Sequence, residues 1–109
     1  MAIQKKREAP AAVNPVRKGG VRYEALHWGK ERGFGQNGGY IVAVDEQTGA
    51  ELWHLKVYDV RYDDDREGDK QDVFITRLSI GWFDPRLRVD NERGERFLID
   101  LATREILKQ

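Results

Sequence analysis

Between Gly39 and Val60 the chain reads GYIVAVDEQTGAELWHLKVYDV, and few local structures other than a β-hairpin suit that pattern. Tyr40 to Val44 is apolar at every position, as in a strand covered on both faces. Asp45 to Gly49 supplies turn chemistry, with Gly49 free to take positive φ. On the return, Trp53, Leu55 and Val57 alternate with His54, Lys56 and Tyr58. That period of two sends the first set inward and the second outward.

The flanking sequence repeats this grammar. Val21, Tyr23 and Ala25 share one side of an extended segment, and the glycine-rich stretch from Gly29 to Gly39 then breaks it. Residues 59 to 72 are too charged to bury and predict the longest internal loop. Val73 to Trp82 reads as a strand that ends at the turn Asp84-Pro85, because proline cannot donate to a ladder. Leu87 and Val89 alternate with Arg86, Arg88 and Asp90, the pattern of a short edge-like strand. Asn91 to Gly94 predicts a hairpin loop with glycine at its left-handed position, and Phe97, Ile99 and Leu101 define another strand. The tail from Ala102 to Gln109 fits a strand or a helical turn equally. These signals predict an all-β fold, an antiparallel meander of six to seven strands closing as a small sandwich or a partly open barrel.

Composition sets the class. The 109 residues suit one domain, assigned to 21–109, after an arm at 1–20 whose five basic side chains oppose Glu8 alone. Proline, alanine and glycine in that arm predict disorder. A hydrophobic fraction of 39% beside a charged fraction of 35% implies a water-facing surface around a modest core. No run approaches the ~18 apolar residues of a membrane span, and no secretory signal pattern is visible, so a cytoplasmic location without a membrane partner is expected. The chain has no cysteine, which removes disulfides and thiolate metal sites. Its 19 basic and 19 acidic side chains balance, so the whole chain has no charge bias toward nucleic acid.

The segment YIVAVDEQTGAELW resembles one repeat of the pyrroloquinoline-quinone-type β-propellers, in which strand, Asp, Thr-Gly turn and Trp recur. The resemblance spans residues 39–53. It implies that Asp45 accepts from backbone N–H groups of the turn, that Thr48 assists, that Gly49 permits the reversal and that Trp53 packs the outer layer. Quinone binding needs a whole ring of such repeats, so no cofactor is expected from one hairpin. A second copy of the pattern appears when Val42 to Trp53 is laid on Phe97 to Leu107 with one gap at Gly49. Asp45 then meets Asp100, Thr48 meets Thr103, Glu51 meets Glu105 and Leu52 meets Ile106. Similar turn chemistry accounts for this without duplication.

Three further motifs carry chemistry. Gly33 to Gly38 satisfies G-x-G-x-x-G, but a strand rather than a helix comes after it, which removes the dinucleotide reading. Trp28-Gly29-Lys30 with Gly35-Gln36 is similar to part of the WGR domains of nucleic-acid-dependent enzymes, with Lys30 in place of arginine. It supplies the nucleic-acid alternative, with the basic arm as its companion. In the acidic loop, Asp63, Asp65, Glu67 and Asp69 are candidate calcium ligands, with Gly68 at the sharp-turn position of an EF-hand-like loop. Lys70 and Phe74 depart from that pattern where an apolar residue and a bidentate glutamate are usual.

Catalytic signals are sparse. Ser79 is the only serine, and its surroundings do not make a nucleophile elbow. His27 and His54 each adjoin a tryptophan, so strand alternation turns both imidazoles outward. The outer face of the long strand is more apolar than a wet surface requires, which nominates His54, Tyr58 and Tyr62 as an interaction face. The expected function is therefore a non-enzymatic binding or protein-interaction module, with a homodimer as one form of partnership. A small-ligand or calcium-binding protein using loop 29–39 or loop 59–72 is the alternative, and a nucleic-acid module the third.

Overall fold

A computed structural model describes residues 10–62 and 72–109. Two four-stranded antiparallel sheets make up the fold, each a simple meander in chain order. The first contains β1 (Val16–Lys18), β2 (Val21–Leu26), β3 (Tyr40–Asp45) and β4 (Glu51–Lys56); the second contains β5 (Ile75–Ile80), β6 (Leu87–Asn91), β7 (Arg96–Ile99) and β8 (Ile106–Lys108). The all-β expectation holds. The sheets pack sandwich-fashion and do not close into a barrel. The three-residue strands β1 and β8 raise the strand total beyond the six to seven expected.

Register explains the core. Tyr23 pairs with Ala43, and Ala43 with Trp53, so these three share a face; Ala25, Ile41 and Leu55 share it by the same rule. In the second sheet, Leu87 pairs with Ile80 and Ile99, while Val89 pairs with Leu78 and Phe97. Both faces meet in one hydrophobic cluster that includes Ile41, Ala43, Ile75, Leu87, Val89 and Ile99.

Two hairpins use one turn. Asp45 Oδ1 accepts from the N–H groups of Gln47 at 2.8 Å and Thr48 at 3.2 Å, while Thr48 Oγ1 accepts from Ala50 N at 3.1 Å. Asp100 Oδ1 accepts from Ala102 at 2.9 Å and Thr103 at 3.0 Å, while Thr103 Oγ1 accepts from Glu105 N at 3.2 Å. The roles expected of Asp45, Thr48 and Gly49 are thus visible twice. Gly49 has φ 76°, and Arg104 takes the same left-handed position with φ 66°. The internal match therefore runs without a gap through the turn. The extra residue sits later, at a β-bulge where Val44 pairs with Glu51 and Ala43 with Trp53, leaving Leu52 over and half exposed.

Several expectations need correction. The arm at 1–20 is not wholly without order, since Val16–Lys18 pairs with β2; residues 1–9 lie outside the described residues. The edge assigned to Leu87–Asn91 is wrong, since β6 lies between β5 and β7. Its charges mislead, because Arg88 and Asp90 lie half-buried on the opposite face from Leu87, Val89 and Asn91, which are buried. The tail resolves as strand β8.

Candidate functional site

The meanders place their connections at two poles. At one lie the glycine-rich segment, the described ends of the crossover from β4 to β5 (57–62 and 72–74) and the β6–β7 turn. At the other lie the β1–β2, β3–β4, β5–β6 and β7–β8 turns.

The expected face of His54, Tyr58 and Tyr62 does not form. His54 is exposed on β4 and stacks on Phe34 at 4.7 Å. Strand β4 ends at Lys56, so alternation no longer governs the residues beyond it, and the crossover carries Tyr58 into the core. Tyr58 is 8% exposed, stacks on Phe97 and donates from its hydroxyl to Val73 O at 2.7 Å. Tyr62 is half-buried; its hydroxyl donates to Asp72 Oδ1 at 2.5 Å and accepts from Asn37 N at 3.3 Å. Burial pushes both phenols well above their ordinary pKa, and at Tyr62 the Asp72 bond adds to the rise. Tyr58 thus offers no contact surface, and Tyr62 is half-covered, with its hydroxyl bonded and Lys30 over its ring.

The glycine-rich segment is built as a packed loop. A 3-10 turn at Gly29–Arg32 opens it. The Gln36 side chain donates to Gly38 O and Tyr58 O, both at 2.8 Å, and accepts from Val60 N at 2.9 Å. Asn37 Nδ2 donates to Asp72 Oδ2 at 3.0 Å. Gly38 packs so closely on the Val73 carbonyl that any Cβ there would clash. Gly38 and the two amides of this segment thus serve packing against the crossover, while Gly33 takes φ 85° at the end of the 3-10 turn and Gly35 meets open space. Close by, His27 packs edge-on to Phe74 at 5.3 Å, and its Nδ1 is buried without a hydrogen-bond partner. Desolvation lowers its pKa, opposed by the charge of Glu92.

The candidate calcium ligands Asp63, Asp65, Glu67 and Asp69 lie outside the described residues. Among the described residues, no group of three or more His, Cys, Asp or Glu is placed to hold a metal ion. Nor is any helix among them long and apolar enough to cross a membrane.

The opposite pole holds a feature that the sequence reading missed. Strand β5 stops at Ile80, so Trp82 and Phe83 fall on the β5–β6 loop, where they are 98% and 100% exposed. The loop beneath them is braced. Asp84 Oδ1 accepts from Arg86 N at 3.1 Å and Nε at 2.9 Å, and Asp84 Oδ2 accepts from Arg86 NH2 at 2.7 Å. These bonds push the Asp84 carboxyl down to about 2. At the foot of the loop is a cleft of about 410 Å³ between the sheets, lined by Val21, Tyr23, Pro85 and Leu101, with Lys18 and Asp100 among its polar residues. A signal for the exposed pair was present in the sequence: Gly81 and Asp84-Pro85 bracket the two rings with turn residues.

No known protein family, curated protein or solved structure matches this chain.

The site must therefore be read from its own chemistry. Two adjacent aromatic rings on a braced hairpin tip can enter an apolar recess or an interfacial layer. The hydroxyls and imidazoles described above are engaged in packing or in structural bonds elsewhere, and the carboxylate of the tip loop, Asp84, is held by Arg86.

Proposed function

We propose that this chain is a non-enzymatic protein-interaction module that docks through the hairpin tip bearing Trp82 and Phe83. The full exposure of both rings carries the reading. Each aromatic side chain can bury about 150–250 Å², and leaving two of them together in water forgoes a large hydrophobic gain. Aromatic anchors on a preorganised support are the usual source of binding energy at interfaces. The Asp84–Arg86 bonds shape the C-terminal side of the tip loop, directly after the two rings. The reading keeps the interaction-module expectation and moves its contact from Tyr58 and Tyr62 to the other pole.

The test places a photoreactive phenylalanine analogue at position 83 and, as a control, at the exposed position 93 of the far pole. Irradiation in extract of the source cells should give discrete adducts from position 83 that excess wild-type chain suppresses. Adducts no stronger at 83 than at 93 would remove this reading.

A further inference from the structure

We propose that the cleft at the foot of the β5–β6 loop is a binding site for a small zwitterion with an apolar body, the chemical class of a free hydrophobic α-amino acid. At about 410 Å³ the cleft falls within the ~300–1,000 Å³ range of pockets that enclose small ligands. Val21, Pro85 and Leu101 give it apolar walls. Tyr23 lines it too and is 7% exposed. The Tyr23 hydroxyl makes no hydrogen bond among the described residues, where His27 Nδ1 and Arg88 Nε are the only unbonded side-chain polar atoms sealed from solvent. That hydroxyl is therefore open to the cleft its ring lines. A phenol so nearly covered calls for a partner.

The charges select the occupant. Lys18, Arg86 and Asp100 are the charged side chains that line the cleft. Arg86 is taken by Asp84, which accepts from its Nε at 2.9 Å and its NH2 at 2.7 Å. Lys18 and Asp100 make no ion pair among the described residues, either with each other or with a third group. Asp100 Oδ1 accepts two backbone N–H groups of its own turn, and the charge of Arg86 acts on it from beyond ion-pair distance. A ligand with a carboxylate alone would meet the like charge of Asp100. One with an ammonium alone would meet Lys18 and Arg86. A molecule carrying both satisfies each side, its carboxylate on Lys18 and its ammonium on Asp100, while its body lies against the apolar walls. A peptide terminus brings only one of the two charges, which favours the free molecule.

Heteronuclear NMR of the full chain titrated with phenylalanine reads the outcome. Shifts should saturate at residues 18–23, 86 and 100–102 with a Kd of about 1–3 mM, the value that about 12 non-hydrogen atoms at ordinary ligand efficiency give. N-acetylphenylalanine and phenylalanine amide each lack one of the charges and should bind about tenfold more weakly or worse. Lys18→Met should weaken phenylalanine by about tenfold without weakening the amide. Asp100→Asn, whose side-chain oxygen can still accept the turn N–H groups, should weaken phenylalanine similarly without weakening the N-acetyl form. Thermal melts confirm that both variants fold. The proposal is overturned by the absence of saturable shifts at these residues up to about 30 mM phenylalanine, by a single-charge analogue that binds as tightly, or by variants that bind as wild type does. Crosslinking from position 83 is read separately, so the tip reading and the cleft site can each fail while the other stands.

Discussion

The ring of Tyr58 lies over that of Phe97 at 5.3 Å between centroids and 17° between planes, joining the crossover to the second sheet. The same phenol closes a hydrogen bond to Val73 O. Tyr58→Phe should therefore keep the packing and lose about 1–2 kcal/mol, because a buried carbonyl forfeits its donor. Tyr58→Ala should cost about 3–5 kcal/mol, the usual range for deleting a core aromatic. Urea unfolding of both variants checks the split.

The matching turns make a paired prediction. Gly49→Ala forces a Cβ into the left-handed region at φ 76° and should cost about 1–2 kcal/mol. Arg104→Gly relieves that strain at φ 66° but loses the guanidinium that sits 4.8 Å from the Trp53 ring centroid. The two effects are of similar size, so the change should stay within about 0.5 kcal/mol. Thermal denaturation of the two variants would show unequal effects at equivalent positions.

His27 should make stability depend on pH. Its folded pKa lies below the ordinary value of 6.5 because burial disfavours the charged ring. As pH falls below 6.5 the unfolded chain takes up the proton first, so stability is lost progressively down through the folded pKa. His27→Phe removes the titration. Urea midpoints at pH 7.5 and 5.5 should therefore show the variant gaining on wild type at the lower pH; a constant difference would contradict the lowered pKa.

Asp72, 3% exposed, accepts from Asn37 and Tyr62 and so ties the glycine-rich segment to the crossover. Asp72→Ala should cost about 2–4 kcal/mol, since it strands the buried Asn37 amide and the half-buried Tyr62 hydroxyl. Amide exchange should accelerate first in residues 27–39 and leave β7 protected. Uniform acceleration would show that the contact is not local.

Trp82→Ala with Phe83→Ala should leave the unfolding midpoint nearly unchanged, within about 0.5 kcal/mol, because rings so exposed contribute little to the folded chain. A larger loss in a melt at low protein concentration would mean that they pack in the monomer.

The fold was legible where patterning is local. Alternation at Trp53, His54 and Leu55 placed each side chain on its observed face, and Asp45 with Gly49 specified a turn that formed as expected. Alternation loses its authority where a strand stops, which is why it puts Tyr58, two residues beyond Lys56, on the wrong side. Trp82 fails for the opposite reason: its apolar character suggests a strand core, while the glycine and proline around it mark a loop. Arg88 and Asp90 give β6 the look of an edge, because one solvated face is common to edge and interior strands. The cleft draws on β1, β2, the β5–β6 loop and the β7–β8 turn, and no local pattern reports such a meeting.

Every strand in both sheets pairs with its neighbour in the chain, and the crossover from Val57 to Phe74 is the only covalent link between the sheets. Ladder formation thus joins chain neighbours within each sheet, across no connection longer than residues 27–39, and the contacts of longest range are those that dock one sheet on the other. A chain cut within that crossover would then behave as two complementary fragments, each carrying its own meander and recovering the native state only when the other is present.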